Sequence, residues 1–323
     1  MQIQFPGFFD LQVNGFAGVD FNEPCTPEQL HHATAAIRAT GVTQFLPTII
    51  TSSREHFASC ARALLHFADP AIAGIHLEGP YISPLDGARG AHPQAHVRDA
   101  SIDDFKYRQD AAQGRIVLVT LAPEVPNARA LIGYLVAANI KVAIGHTAAT
   151  PEQIRDGINA GATLATHLGN GCANLLPRHP NFIWEQLAAD ELCASLIVDG
   201  HHLPPATVKA MVRAKTPART ILVTDAIAAA GSAPGVYTIS GMPVELHPSG
   251  RVAAPGAANL AGSSLAMNNA VANTVRFTGL SLADVLPMAS AQPANYLGLA
   301  PSGTVIADWD EANYALTVTT IVS

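Results

Sequence analysis

The chain has 323 residues, enough for one large domain with a sizeable core, and 49% of them are hydrophobic while 13% are charged. Its net charge of −7 comes without a cluster of basic residues, which argues against nucleic acid and anionic membranes as partners. The longest apolar stretch, residues 130–144, is interrupted by Asn139 and Lys141, so no membrane-spanning helix is expected.

Short apolar or β-branched segments alternate with longer amphipathic segments along the chain. The predicted strands are residues 8–13, 45–49, 72–77, 116–121, 142–144, 163–166, 194–198 and 221–224. Thr26, Ser101 and Thr150 lie between them and are typical helix N-caps, the first and last with proline at the next position. Eight strands with intervening helices predict a (β/α)8 barrel, and no G-x-G-x-x-G follows the first strand to favour a doubly wound sheet.

The alternation changes after the eighth predicted strand. Residues 235–255 contain short strand-like segments with turns at Ser240 and Gly241 and at Ser249 and Gly250, which predicts an inserted hairpin. The remaining predicted elements are helices at residues 265–278, 282–288 and 291–297 and strands within 303–322.

Cysteine usage and the N-terminus point to one compartment. The four cysteines, at 25, 60, 172 and 193, are widely spaced and contain no C-x-x-C pair, so we expect reduced thiols and no cysteine-based zinc site. The opening MQIQFPGFFD lacks the basic start and cleavage site of a signal peptide. Both features predict a cytoplasmic protein.

Ligand-type residues follow the ends of several predicted strands, where barrel enzymes place their chemistry. Glu78 follows the third strand, His146 the fifth, His167 the sixth and Asp225 the eighth. Two imidazoles and one carboxylate fill three positions around a divalent ion and leave one for water, whose pKa the ion lowers. A further carboxylate nearby can accept and return the proton. The pattern predicts Glu78, His146 and His167 as metal ligands and Asp225 as the catalytic acid/base.

Several longer segments match one family in order through most of the chain. They are PGFFDLQVNG (6–15), HLEGPYISP (76–84), GAHP (90–93), GHTAAT (145–150), THLGN (166–170), DGHH (199–202), LVTDAIAAAG (222–231), LAGSSLAM (260–267) and ASAQPANYLGL (289–299). The sequence thus resembles the N-acetylglucosamine-6-phosphate deacetylases of the amidohydrolase superfamily. The resemblance implies a metal-dependent TIM barrel that hydrolyses the N-acetyl amide of N-acetylglucosamine 6-phosphate, or a close N-acetylhexosamine phosphate, to acetate and the amino sugar phosphate.

Position by position, the resemblance implies the same metal ligands and the same acid/base, and it adds further roles. His92 matches a catalytic histidine that helps bind and polarise the substrate. The implied substrate-binding residues are His202, Asn170, Gly171 and Arg178. Of these, Arg178 matches an arginine that pairs with the phosphate across a dimer interface, so a homodimer is expected.

Gln12 and Asn14 stand where many amidohydrolases carry a His-x-His pair that binds a second ion. Amides are poor zinc ligands beside imidazole and carboxylate, so we expect one divalent ion per subunit, with both amides satisfying hydrogen bonds at the barrel mouth. Zinc is the expected metal, and iron, cobalt and manganese are alternatives that the same ligands accept.

The chain departs from the family at its edges. Only MQIQF precedes the PGF segment, where other members carry a longer segment that builds part of a β-sandwich. We therefore expect a catalytic barrel with C-terminal helices, from residues 6–234 and 256–300, and a reduced small β domain, from 1–5, 235–255 and 301–323.

Two other functions stay open on the sequence. The same machinery could act on an unphosphorylated N-acyl sugar or N-acyl amino acid, because the rim offers few basic residues for a phosphate. A barrel that binds a sugar without catalysis is the other alternative. The gluco and galacto epimers of the substrate are equal candidates.

Overall fold

The computed structural model describes residues 1–67, 69–173, 175–239, 242–257 and 259–322. Its strands, in chain order, are β1 (Gln2–Pro6), β2 (Phe8–Val13), β3 (Gly15–Phe16), β4 (Val19–Asp20), β5 (Val42–Ile50), β6 (Ile75–Glu78), β7 (Ile116–Leu121), β8 (Lys141–Ile144), β9 (Leu164–Ala165), β10 (Cys193–Leu196), β11 (Thr220–Leu222), β12 (Gly235–Ile239), β13 (Met242–Leu246), β14 (Arg251–Ala253), β15 (Leu260–Ser263), β16 (Thr304–Asp310) and β17 (Ala315–Val322).

Three of the ten helices in the described residues begin at caps that the sequence predicts. The helices are α1 (Pro27–Arg38), α2 (Arg54–Phe67), α3 (Ile102–Ala111), α4 (Ala128–Ala137), α5 (Pro151–Asn159), α6 (Phe182–Ala188), α7 (Pro205–Lys215), α8 (Met267–Thr278), α9 (Leu282–Ala289) and α10 (Ala291–Tyr296). Thr26 and Thr150 each form a capping box with the glutamine three residues later, and Ser101 accepts a hydrogen bond from the backbone N–H of Asp104. These local signals fix the start of three helices.

A parallel eight-stranded sheet forms the centre of the molecule. Its order is β2-β5-β6-β7-β8-β9-β10-β11, and each neighbouring pair is parallel. Val13 at the end of β2 bridges Ala226 just after β11, and the backbone N–H of Asp225 donates to the carbonyl of Gln12 over 2.9 Å. The sheet therefore closes on itself, and the predicted (β/α)8 barrel is confirmed.

Only β2 and β7 keep their predicted limits, and the other six barrel strands differ by one to three residues at an end. The third was predicted at 72–77, but Ile72 only bridges Phe45, and the strand proper is Ile75–Glu78. Pairing with the next strand starts at Ile75, opposite Ile116, so the shorter limits reflect where both neighbours are present. The sixth strand has two residues, Leu164–Ala165, instead of four.

The remaining strands form small antiparallel sheets. β1, β16 and β17 make a three-stranded sheet whose buried residues belong to the main core, whereas β12 to β15 make a four-stranded sheet with a core of its own around Val244, Leu246 and Val252. The segments expected in one β domain thus lie in two sheets, and β15 extends the predicted hairpin. The turn at Ser249 and Gly250 is confirmed by a hydrogen bond from Gly250 N–H to His247, while that at Ser240 and Gly241 lies outside the described residues. The division into domains stays a prediction.

Apolar side chains fill the space between the barrel and its helices. Phe8, Phe45 and Leu77 are completely buried there, whereas the carboxyl ends of the strands carry buried polar groups. In the described part of the chain, no helix has the length and apolar character needed to cross a membrane.

Candidate metal and catalytic centre

Glu78 is the last residue of β6, and its carboxylate is the centre of the polar cluster at the barrel mouth. The side chain is 2% exposed. Its Oε1 lies 3.2 Å from Nε2 of His146 and 2.9 Å from Nε2 of His167, and it accepts a hydrogen bond from Nε2 of Gln12 over 2.9 Å. The barrel thus brings the three predicted metal ligands together from three strand ends.

The donor set fits a divalent cation. His146 donates its Nδ1–H to the carbonyl of Ala88 over 3.0 Å, so its Nε2 presents a lone pair to the carboxylate of Glu78. Two acceptors this close need a proton or a cation between them. Ligands of one ion at about 2.1 Å lie roughly 3.0–3.4 Å apart, which agrees with the contacts of His146 and His167 to Glu78. A buried cluster of one glutamate and neighbouring histidines is a candidate divalent metal site, and its chemistry does not select the element.

The electrostatics of the cluster favour an ionised Glu78. Burial opposes its charge, but the hydrogen bonds that His146 and His167 donate when protonated, and the positive charge they then carry, hold its pKa well below the usual range. Burial also opposes a charged His167, yet its contact with Glu78 raises the pKa of the imidazole. The carboxylate therefore stays available to a cation.

His92 lies beside the ligands and is 4% exposed. Its Nδ1 is 2.8 Å from Oγ1 of Thr51, its Nε2 is 4.0 Å from Oε2 of Glu78, and its ring centroid is 4.2 Å from that of His146. One ligand atom each of Glu78, His92 and His146 lie within 4.8 Å of one another. Burial, and then the charge that a protonated His146 would carry, lower the pKa of His92 well below its ordinary value, so its ring is neutral.

Asp225 follows β11 and faces the cluster from the other side. Its Oδ1 accepts a hydrogen bond from Nδ2 of Asn14 over 2.7 Å. Desolvation, and then the negative charge of Glu78, raise the pKa of Asp225 to about 6. A carboxyl group with a pKa this close to neutrality can both accept and return a proton.

Three of these residues adopt a backbone conformation that side chains usually avoid. The φ angles of His146, His167 and Asp225 are 49°, 28° and 50°. Such residues cost on the order of 1 kcal/mol each and persist where the surrounding structure holds them, as at functional sites. The surrounding structure therefore holds these strand ends in the backbone conformation that places the three side chains.

His202 lies on the loop after β10. Its Nδ1–H donates to Oδ2 of Asp199 over 2.6 Å, and the backbone N–H groups of His201 and His202 both donate to Oδ1 over 2.8 Å. Because β10 and β11 are parallel neighbours, the loop that carries His202 lies at the same rim of the barrel as Asp225.

The loop after β9 carries the other predicted substrate contacts. Asn170 donates from Nδ2 to the carbonyl of His167 over 3.1 Å, and a Cβ on Gly171 would lie 2.8 Å from Nδ1 of His146. Both residues therefore border the ligands. Arg178 is exposed, and no hydrogen bond or ion pair ties it to another described residue.

Three groups that support the site are absent from the sequence prediction. Thr51 holds His92, the carbonyl of Ala88 holds His146, and Glu124 binds the residues that follow His146. Glu124 has a sequence signal, because it comes three residues after β7, just beyond the positions at which the predicted ligands follow their strands. A backbone carbonyl such as that of Ala88 has no sequence signature.

The chain is similar to proteins of known family and structure. Residues 3–310 match the sequence model described as the amidohydrolase family. The N-acetylgalactosamine-6-phosphate deacetylase of Escherichia coli O157:H7 is 33% identical over 91% of this chain and 78% of its own length. The human N-acetylglucosamine-6-phosphate deacetylase is 36% identical over 93% of this chain and 76% of its own.

Solved structures give the same likeness. The crystal structure of N-acetyl-D-glucosamine-6-phosphate deacetylase from Mycobacterium smegmatis matches with a TM-score of 0.91 and 32% identity, over 99% of this chain and 86% of that one. A mutant of that enzyme in complex with N-acetyl-D-glucosamine-6-phosphate matches with a TM-score of 0.90, at 32% identity, over 98% of this chain and 85% of that one.

Proposed function

Because the chain belongs to the amidohydrolase family, we propose that it hydrolyses the N-acetyl amide of an N-acetylhexosamine 6-phosphate to acetate and the amino sugar phosphate. One observation carries the proposal. Glu78, His146 and His167 converge at one mouth of the barrel, with Asp225 facing them, in a chain similar to deacetylases that act on such sugars.

We assign Glu78, His146 and His167 as the ligands of one divalent ion, with zinc as the metal. The two imidazole nitrogens face the same carboxylate oxygen, whereas His92 lies farther away and faces the other oxygen. Gln12 and Asn14 occupy their amide groups with Glu78 and Asp225, which supports a single ion. A bound divalent cation polarises the acetyl carbonyl and acidifies water.

The residues around the ion supply the remaining steps. Asp225 takes a proton from the attacking water and delivers it to the amide nitrogen, which leaves as the amine. His92, neutral and held by Thr51, donates a hydrogen bond to the carbonyl oxygen as negative charge develops there. His202, Asn170 and Gly171 border the sugar, and Arg178 pairs with the phosphate.

The proposal is tested by measuring acetate release from the gluco and galacto substrates, each with and without the 6-phosphate. Turnover of a phosphorylated sugar is expected, and Asp225→Asn is expected to lower kcat by ~10²–10⁴-fold while the metal stays bound. Asp156→Asn, an exposed carboxylate on α5, is the control and is expected to match the wild type. Undiminished turnover by Asp225→Asn would contradict the assignment.

The same substrates test the phosphate. Arg178→Ala is expected to raise KM for the phosphorylated sugar and to leave the unphosphorylated one unchanged. Equal kinetics of this variant and the wild type on both sugars would favour an unphosphorylated N-acyl substrate.

We also propose a cytoplasmic homodimer. The four cysteines are free thiols, as in reducing compartments. Leu175 and Trp184, which flank Arg178 in sequence, are 91% and 55% exposed, and a second subunit covering them would bring its surface to the phosphate end of the site. Light scattering on the purified protein measures the oligomeric state.

A further inference from the structure

We infer that Glu124 is a positioning residue for the metal ligand His146; this inference rests on the metal site of the proposed function. Both oxygens of the Glu124 carboxylate bind the segment that follows His146. Oε2 accepts from Oγ1 of Thr147 over 2.5 Å, and Oε1 accepts from the backbone N–H of Ala148 over 2.7 Å. Hydrogen bonds to an ionised carboxylate are short and about twice as strong as neutral ones.

The hydrogen bonds that begin at Glu124 continue through the short connection between β8 and α5. Oγ1 of Thr147 also accepts from the backbone N–H of Ala149 over 3.0 Å, so one carboxylate orders three successive residues. The capping box of Thr150 then fixes the start of α5 at Pro151. The whole connection from His146 to the helix is held at both ends.

His146 needs such support because its backbone is strained. Its φ of 49° is a conformation that persists only when the surroundings impose it. Its carbonyl accepts from the N–H of Ser83 over 3.0 Å, and its Nδ1–H donates to Ala88 over 3.0 Å. Those contacts come from the loop after β6. Glu124, in the loop after β7, adds hydrogen bonds to the residues that follow His146.

The backbone that carries Glu124 is itself well fixed. Ala122 donates its N–H to the carbonyl of Tyr81 over 2.9 Å. A Cβ added to Gly157 of α5 would lie 3.0 Å from Cβ of Pro123, so the helix packs directly on the residue before Glu124. The Glu124 carboxylate thus fixes the loop that orients the His146 imidazole relative to β7 and α5.

Glu124→Ala is expected to weaken metal binding by ~10–100-fold, as loss of a supporting group typically does. The measurement is competition for Zn²⁺ and Co²⁺ with a chromogenic chelator, well below the unfolding temperature, together with the visible spectrum of the Co²⁺ form. Glu124→Gln keeps an oxygen for Ala148 and should recover most of the affinity. Glu185→Ala is the matched control, since Glu185 is also partly buried and pairs with Arg155 over 2.6 Å between α5 and α6.

Thr147→Val is a second test of the inference, and it does not depend on whether Glu124→Ala folds. It is expected to weaken Zn²⁺ binding, and the losses caused by the two substitutions should be less than additive in the double variant, because both remove the hydrogen bond between Thr147 and Glu124. Wild-type affinity and an unchanged Co²⁺ spectrum in Glu124→Ala and Thr147→Val, even with a lower Tm, would overturn the inference.

Failure of the proposed function is distinguishable from failure of the inference. A wild type that binds Zn²⁺ but hydrolyses none of the four sugars refutes the proposed substrates, and the role of Glu124 is then decided by metal affinity alone.

Discussion

Asp225 and Asn14 show how a hydrogen bond contributes to the protonation of the carboxyl group that we propose as the catalytic acid/base. Asp225 has a pKa of about 6 because desolvation and the charge of Glu78 favour the protonated form, while the imidazoles of His167 and His202 and the hydrogen bond from Nδ2 of Asn14 favour the ionised form. A bound cation adds positive charge and lowers this pKa further. The acid limb of kcat/KM should therefore lie at or below about pH 6, with activity falling as pH drops through the pKa of Asp225.

Asn14→Ala removes the donor, so the pKa of Asp225 should rise and the acid limb should move to higher pH. The measurement is kcat/KM against pH for this variant and the wild type. Asn268→Ala is the control, since that amide donates to Leu316, on β17, over 2.9 Å. An acid limb that stays in place would show that Asn14 does not tune Asp225.

At the level of elements, a buried ionic cluster fixes the loop after β6, which carries His92. Asp104, in the first turn of α3, accepts from Arg54 over 2.6 Å and from Arg98, Arg108 and the hydroxyl of Tyr81 over 2.8 Å each. Burial opposes its charge, but the hydrogen bonds of Arg108 and Arg54 hold the pKa of Asp104 at about 2. One carboxylate thus joins α2, α3 and the loop between β6 and α3.

Removing Asp104 should destabilise the fold strongly, because Arg108 is fully buried and would lose its counter-charge. Asp104→Ala is expected to lower the free energy of unfolding by about 3–5 kcal/mol in urea titrations at pH 7. Asp103→Ala, exposed in the same turn, should change it little. The folded pKa lies below the ordinary value, so this stabilisation is present above about pH 4 and is lost as pH falls towards 2. Equal losses in both variants would refute the role of the cluster.

For the molecule as a whole, the sequence predicts the repeated apolar segments of the barrel and the residues at the strand ends. The barrel follows from eight apolar segments, and Glu78, His146, His167 and Asp225 meet because parallel strands end at one rim. These four residues can therefore be predicted from the pattern of residue types along the sequence.

The contacts that support the site cannot be predicted from such a pattern, because they join distant parts of the chain. Asp10 accepts from Oγ1 of Thr224 over 2.5 Å across 214 residues, and it joins the first barrel strand to the last beneath Asp225. Burial raises the pKa of Asp10 to about 7. The arrangement of the small strands in two sheets also depends on long-range pairing, such as that of β1 with β16.

The metal should stabilise the whole barrel because its proposed ligands lie at the ends of β6, β8 and β9. An ion that binds only the folded state adds stability by mass action, about 4 kcal/mol when the free ion is a thousand-fold above its Kd. Chelation by EDTA should lower Tm by several degrees, and Zn²⁺ should restore it. Glu78→Gln should show no such response, because it lacks the charge that holds the ion. A wild-type Tm that is the same with EDTA and with Zn²⁺ would exclude these three strand ends as the site of a tightly bound ion.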